Sequence, residues 1–458
     1  MQQAAQDSEK FIRMTTAPVE RLVCGLAAPS IAIMLVSALY NMADTYFVGS
    51  LGTSAVAAVG IAFPLMAIVQ AMGFFFGQGS GNYMSRTLGA RETENASRMA
   101  ATGFVTAFLV VALIAALSLL FLRSLTLALG ATPTILPYAM EYLVFILLAS
   151  PWMAASMVLN QQLRFQGSAS LAMIGMISGA VLNIFLDPLF IFTFNMGIKG
   201  AAAATMLSQM TSFAILWFCC GRKDNIPIRF RHFSPSLGMY REILRGGLPA
   251  LLRQGLMSVA TVIINHIAGT YNDAAIAAIS IVNRVYMFAG SAMLGFGQGF
   301  QPVCGFNYGA KLYGRVKKAF WFCVRLSAGV LFAAGILLAG FAPEIIALFR
   351  RDDPEVIRIG TLGLRLYCVS LPFSAWVVMS NMMTQTIGKA LEASLISMSR
   401  QGLFLLPGIF ILSPFLGLLG IQLALPAADL AAFVFAIPIT VKVLKGMKGE
   451  AAPGTAVR

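Results

Sequence analysis

Apolar residues in this chain come in long, nearly unbroken runs, not in the alternation of a strand or the one-sided stripe of a surface helix. The runs fall at about 22–48, 55–80, 97–122, 134–160, 170–194 and 199–219, then, after a polar break, at 246–270, 275–300, 317–342, 356–386, 395–415 and 418–443. A helix of about 20 apolar residues crosses a hydrocarbon core of ~30 Å. Backbone in lipid must satisfy its own hydrogen bonds, so each run predicts a transmembrane helix; a barrel would show alternation. The longer runs imply tilt or extension past the bilayer. The expected fold is an all-α integral membrane protein of twelve transmembrane helices, with no leader of basic-then-apolar plan in its polar first twenty residues.

Composition agrees. Hydrophobic residues make up 58% of the 458 residues and charged ones 11%, with a mean hydropathy of +0.81. A soluble domain carries roughly 25% charged residues. The net charge of +14 would suit nucleic acid, but its distribution excludes that reading. Basic residues gather in alternate loops: Arg86, Arg91 and Arg98; Arg164; Arg222, Lys223 and Arg229 to Arg245; Lys311 to Lys318; Lys389; and Lys442, Lys445 and Lys448. The opposite loops hold little beyond Arg123, Lys199 and a 343–355 segment in which Arg350 and Arg351 are offset by Glu344, Asp352, Asp353 and Glu355. Lysine and arginine collect on the cytoplasmic side. Both termini are therefore expected in the cytoplasm, with the chain multi-pass in the cell membrane. The six cysteines sit in or beside apolar runs without paired spacing, and His232 and His266 are too far apart for a metal cluster. No catalytic constellation is readable, so neither an enzyme nor a bound cofactor is expected.

The chain repeats itself. At a shift of 220, Pro29 falls on Pro249, Gly49 on Gly269, Phe76-Gly77-Gln78-Gly79 on Phe296-Gly297-Gln298-Gly299, and Gly89-Ala90 on Gly309-Ala310. At 221, Pro151, Asn160, Gly167 and Ala169 meet Pro372, Asn381, Gly388 and Ala390; at 220 again, Gly197 and Gly200 meet Gly417 and Gly420. Six helices per copy make the repeats parallel: two six-helix bundles related by a pseudo-two-fold axis along the membrane normal, with a cavity between them. That is a transporter plan. The expected organisation is a tail at 1–21, a first lobe at 22–219, a cytoplasmic linker at 220–245, a second lobe at 246–443 and a tail from 444. The Gly-Gln-Gly-Ser-Gly at 77–81 lacks the strand and lysine of a phosphate loop, and its echo at 297–299 predicts a closely packed helix end.

A carboxylate in the bilayer costs roughly 2.5–3.5 kcal/mol, so an acid inside a span is a functional candidate. Two stand out. Asp44 has Asn41 one helical turn before it, and Asp187 has Asn183 one turn before it and Pro188 after it. Pro188 lacks an N–H and should free a carbonyl. Acids, amides and a free carbonyl suit a proton or a hard cation such as Na⁺. The repeat places Ile264 opposite Asp44 and Gly408 opposite Asp187, so the pair belongs to the first lobe alone. Packing with neighbouring helices is the competing reading for each acid. For Asp429 that structural reading leads, as it does for Arg284 and Arg365, where snorkelling or pairing comes first and substrate contact second.

Tyr40-Asn-Met-Ala-Asp44 with Gly49, Ala62-Phe-Pro64, Asn183 to Pro188, and Gly200-Ala-Ala-Ala-Ala-Thr205 together resemble the multidrug and toxic compound extrusion (MATE) family, and within it the DinF- and MepA-like branch. The resemblance runs from about Pro29 to Lys445. It implies a two-lobe fold exporting organic cations or amphipathic drugs in exchange for H⁺ or Na⁺, with the ion held in the first lobe. Residue by residue, the site implied is Asp44, Asn183, Asp187 and Thr205, with Asn41 and Asn160 as further polar residues of the cavity. A second branch uses acids of helices 7 and 10; here helix 10 has none within its span and helix 7 offers Arg253 and His266. A monomer is expected. The alternative function is a lipid-linked saccharide flippase of related plan, which would need several cations in its cavity to hold pyrophosphate.

Overall fold

The computed structural model describes residues 2–222, 225–269, 271, 273–349 and 353–447, and every regular element among them is a helix. Lys223, Arg350, Arg351, Asp352 and Lys448 lie outside the described residues, as does the side chain of Asn41. The helices in the first half are α1 (Gln2–Thr16), α2 (Val19–Gly49), α3 (Thr53–Gly89), α4 (Thr93–Leu120), the short α5 (Leu122–Ala128), α6 (Leu136–Phe165), α7 (Ala169–Pro188) and α8 (Ile198–Cys220). Those of the second are α9 (Leu237–Gly269), α10 (Asp273–Gly309), α11 (Tyr313–Gly340), α12 (Ala342–Phe349), α13 (Pro354–Thr386), α14 (Ala390–Met398), α15 (Leu406–Leu416) and α16 (Leu418–Gly446). Twelve segments are long and apolar enough to cross a membrane, in agreement with the hydropathy pattern. The eleventh combines α14 and α15 through a π-helical stretch at Ser399–Leu405.

Three details differ from expectation. The first residues, expected as a polar tail, contain α1, because Phe11 and Met14 bury their side chains. Asn307 Nδ2 donates to the Met14 carbonyl at 3.1 Å, and Lys10 Nζ reaches Ser168 Oγ at 2.8 Å and Asn225 Oδ1 at 3.0 Å. The first α-helix of the second half, α9, starts at Leu237, inside the expected linker. The glycine run at 77–81 lies within α3, not at its end. Its glycines are there for packing: a methyl group at Gly79 would sit 2.4 Å from the Ile243 carbonyl oxygen.

The duplicated sequence is a duplicated structure. Left-handed backbone recurs at Arg91 and Lys311, at Gly167 and Gly388, and at Gly197 and Gly417. Asn160 Nδ2 donates to the Ala172 carbonyl at 3.3 Å, and its counterpart Asn381 donates to Ala393 at 2.7 Å. The lobes meet about their pseudo-two-fold. A methyl at Gly89 would lie 2.1 Å from the Phe306 carbonyl oxygen, and one at Gly309 would lie 2.0 Å from that of Arg86, the repeat partner of Phe306. Ser85 and its own repeat partner Gly305 touch each other, which places the axis between them.

These lobe-to-lobe contacts share one end of the molecule. They pair the first half of α2 with the second half of α10, and the last turns of α3 with the first turns of α9. Polar groups join the seal: Thr386 Oγ1 donates to Asn82 Oδ1 at 2.9 Å, Gln301 Nε2 to Gln78 Oε1 at 3.2 Å, and buried Arg164 to Gln298 and Gln161. At that end α1 packs on α10, and Lys317 Nζ reaches the Met447 carbonyl at 3.0 Å. Toward the other end the corresponding faces carry exposed apolar side chains such as Ile68 and Phe288. The lobes form a cleft closed where α3 meets α9 and splayed toward the other end.

Candidate cation site

Asp187 and Asn183 stand one turn apart on α7, 0% and 1% exposed. Helix geometry survives through Pro188 and gives way at once to a π-helical turn, Leu189–Thr193. The proline carries no N–H to continue the regular ladder, so the wide turn follows it. Across from them, α8 opens with Gly200 and four alanines. A methyl at Gly200 would sit 2.8 Å from the Phe190 carbonyl carbon, so glycine lets α8 approach closely and brings buried Thr205 to Asn183. The Asn183 amide orientation that satisfies both its ends donates to Asp187 Oδ2 at 3.0 Å and accepts from the Thr205 backbone N–H at 3.3 Å. One acid, one amide and one hydroxyl residue are thus drawn into a single buried cluster by two helices.

Helix α2 supplies the rest. Asp44 lies close enough to Asp187 for the two carboxylates to interact electrostatically, and its Oδ1 is buried with no hydrogen-bond partner among the described residues. Tyr40, one turn before Asp44, lies beside the Thr205 side chain and within electrostatic range of both acids. Tyr142 of α6, 1% exposed, closes the group within electrostatic range of Tyr40, Asp44 and Asp187. The four residues expected at the site are therefore gathered, and two tyrosines join them. Tyr40 had a signal in the sequence, its i, i+4 spacing to Asp44. Tyr142 had none, since nothing along the chain says which residue of α6 faces α2.

The donors are hard oxygens: two carboxylates, three hydroxyls and an amide. Among the described residues no three His, Cys, Asp or Glu side chains come together. Two carboxylates within electrostatic range of each other, one with an unbonded oxygen and both removed from water, call for positive charge. A proton or a small hard cation such as Na⁺ fits this set.

Asn160 is not part of the group. It lies eighteen residues beyond Tyr142 on α6, about 27 Å at 1.5 Å per residue. Its bond to α7 is copied at Asn381 in the second lobe, as expected of a packing device.

The second lobe differs at the matching place. Ile264, opposite Asp44, is 3% exposed and packs with Ile279, Leu405, Ile409 and Ile421, while Gly408 stands opposite Asp187. That lobe holds a different polar cluster. Asp429, 1% exposed, receives Arg400 Nε at 2.5 Å and the Ser370 hydroxyl at 2.9 Å. Arg400 also reaches the hydroxyls of Tyr286 and Tyr367 and lies over the Tyr286 ring, 4.6 Å from its centre. Sequence reading passed over Arg400, although an arginine inside the 395–415 run was a visible signal.

Comparison with known proteins places this architecture. The MatE family model matches residues 29–189 and 249–411, once in each lobe. The multidrug export protein MepA of Staphylococcus haemolyticus is 28% identical over 424 residues, covering 92% of this chain and 93% of that protein. MepA of Staphylococcus aureus is likewise 28% identical over 429 residues, with 92% and 93% covered. Among solved structures, a MATE protein in complex with MaL6 superposes with a TM-score of 0.90 at 27% identity, covering 95% of this chain and 98% of that one. The outward-facing conformation of a multidrug resistance MATE family transporter gives 0.89 with the same identity and coverage. A duplicated twelve-helix fold, matched in both halves by one family model and along nearly its whole length by multidrug exporters, belongs to the MatE family of membrane transporters.

Proposed function

We propose that this chain is a secondary exporter that exchanges H⁺ or Na⁺ for amphipathic organic compounds by alternating access, with the ion held in the first lobe at Asp44, Asn183, Asp187 and Thr205. The observation that carries the reading is the buried, unbonded Asp44 Oδ1 on a carboxylate within electrostatic range of Asp187 and its Asn183–Thr205 cluster.

The site spans two kinds of helix. α7 and α8 pack within the first lobe, whereas α2 also packs on α10 of the other lobe. With both carboxylates charged, Asp44 and Asp187 repel and α2 is held off α7. A bound cation removes that repulsion and favours α2 seated on α7, which shifts the wall that α2 presents to the cleft. Asn183 keeps Asp187 oriented, and Tyr40 sets α2 beside Thr205. Ion and cargo are thereby coupled through the position of one helix, each biasing the state the other prefers.

In this reading the basic loops, the sealed end and both termini are cytoplasmic and the cleft opens outward in the cell membrane, which the distribution of lysine and arginine supports. Each chain carries both lobes and works as a monomer. A flippase for a lipid-linked saccharide would need several cations in the cleft; Arg253 turns instead to Asn381 and Arg365 to the Ala339 carbonyl.

The test is flux in proteoliposomes with proton and sodium gradients imposed separately. One gradient drives export by the wild type, and Asp44→Asn or Asp187→Asn abolishes it with the fold intact. Export by both variants at the wild-type rate would overturn the assignment.

A further inference from the structure

The charge of the cargo can be read from which side chains face the cleft. The contacts at its sealed end fix the rotation of each lining helix. On α10, Gly295 meets Ile31 and Gly299 meets Ala27, both on α2. At 100° per residue, Ser291, Phe288 and Arg284 fall within about 40° of that line as α10 runs toward the open end. Phe288 is 55% exposed and Arg284 is exposed, as a cleft face requires. Arg284 stands eleven residues in from Asp273, about 16 Å along the helix and near mid-membrane. It has no hydrogen bond or ion pair among the described residues, unlike Arg164, Arg253, Arg365 and Arg400.

The neighbouring wall continues the polarity. α9 meets α3 through Gly247, packed on Phe75. Gln254, Ser258 and Thr261 lie within about 40° of that direction farther out, and the last two are exposed. The facing lobe offers no charge. Residues 22–85, which form most of α2 and α3, contain one ionisable group of the Asp, Glu, Lys or Arg type, Asp44. Asp44 lies about 140° round α2 from Ile31, turned toward α7 and away from the cleft. The cleft thus has one apolar wall and one hydroxyl- and amide-bearing wall with an unpaired guanidinium.

We infer that the cargo is an amphipathic organic anion, whose carboxylate, sulfonate or phosphate is taken by Arg284 while its apolar body lies on α2 and α3. An arginine held in the membrane without a partner is costly, and a planar guanidinium matches an oxyanion with two parallel hydrogen bonds. This rests on the export reading above and adds the sign of the cargo's charge. It also resolves how coupling ion and cargo share the molecule: they bind opposite charges in different lobes and do not compete for one site.

The test uses two dyes of similar size and ring system, anionic carboxyfluorescein and cationic rhodamine 123, with the full chain in lipid nanodiscs. Carboxyfluorescein is expected to bind more tightly. Arg284→Gln weakens it about tenfold, the loss of one charge-assisted contact, and changes rhodamine 123 less than about twofold, whereas Arg284→Lys restores part of the loss. Thermal unfolding of each variant verifies that the fold is kept. Tighter rhodamine binding, unchanged carboxyfluorescein binding in Arg284→Gln, binding of neither dye, or scrambling of a labelled anionic phospholipid in place of dye export would each overturn the inference. The flux assay separates it from the coupling reading: if the wild type exports under neither gradient while the Arg284 effect on carboxyfluorescein binding persists, the coupling assignment falls and the anion site stands.

Discussion

Arg86 of α3 and Glu242 of α9 lie 2.7 Å apart, one from each lobe, at the sealed end of the cleft. Arg86 Nη1 also donates to the Thr386 carbonyl at 2.8 Å, and Glu242 also receives Arg245 at 2.7 Å. One guanidinium therefore joins the first lobe to two helices of the second. Alternating access must break this junction whenever the sealed end opens.

Glu242→Gln should loosen the seal without removing its shape. Losing a charge-assisted hydrogen bond costs about 1.5–3 kcal/mol, a shift of roughly tenfold to hundredfold toward lobes open at this end. Spin labels at Glu94→Cys and Lys311→Cys, in a background with the native cysteines replaced, would report a new longer distance. An unchanged distance distribution would remove Arg86–Glu242 from the gate.

Gly89→Ala and Gly309→Ala test the same seal sterically. Each added methyl meets a backbone carbonyl oxygen of the other lobe, at 2.1 and 2.0 Å, and backbone cannot swing aside as a side chain can. Both variants should fold, favour the opposite state and slow export severalfold. Wild-type export from both would mean that the lobes need not close this tightly.

Asn183→Leu removes the amide that bridges Asp187 and Thr205. A hydrogen bond to a charged group contributes about 1.5–3 kcal/mol, so the half-saturating concentration of the coupling ion should rise about tenfold or more. The readout is the dependence of export on ion concentration. Equal ion dependence in variant and wild type would place the coupling ion elsewhere.

Asp429→Asn leaves Arg400 buried beside an uncharged partner. Breaking a buried pair in this way typically costs about 3–5 kcal/mol, while replacing both partners with apolar residues of similar volume recovers most of it. Thermal unfolding in detergent should show a large loss for Asp429→Asn and recovery in Arg400→Met with Asp429→Leu, with ion-driven export retained in the double variant. If Asp429→Asn is fully stable but uncoupled, the second lobe carries the ion.

Much of this was legible in the linear chain for a simple reason. Lipid imposes length and hydropathy on a spanning helix, so the twelve segments are visible as runs, and a constant offset of 220 exposes the duplication. Asp44 and Asp187 were equally visible, because charge inside such a run is conspicuous. What the runs could not give was rotation. A helix apolar on all sides carries no stripe to say which face meets a neighbour. Thus Tyr142 was silent until α6 was seen against α2 and α7, and Arg400 remained unassigned until α16 brought Asp429 to it. The α1 helix was missed for a related reason: Phe11 and Met14 find their apolar surroundings on distant segments.

The sequence by itself determined the membrane, the number of spans, the repeat and the two acids kept by one copy only. The tertiary structure decided which way polar side chains turn: Asn183 toward Thr205, Arg253 toward Asn381, Arg400 toward Asp429. Hydrophobicity is summed along a segment and so can be read in one dimension, whereas the direction of a side chain is set by the packing of helices far apart in the chain.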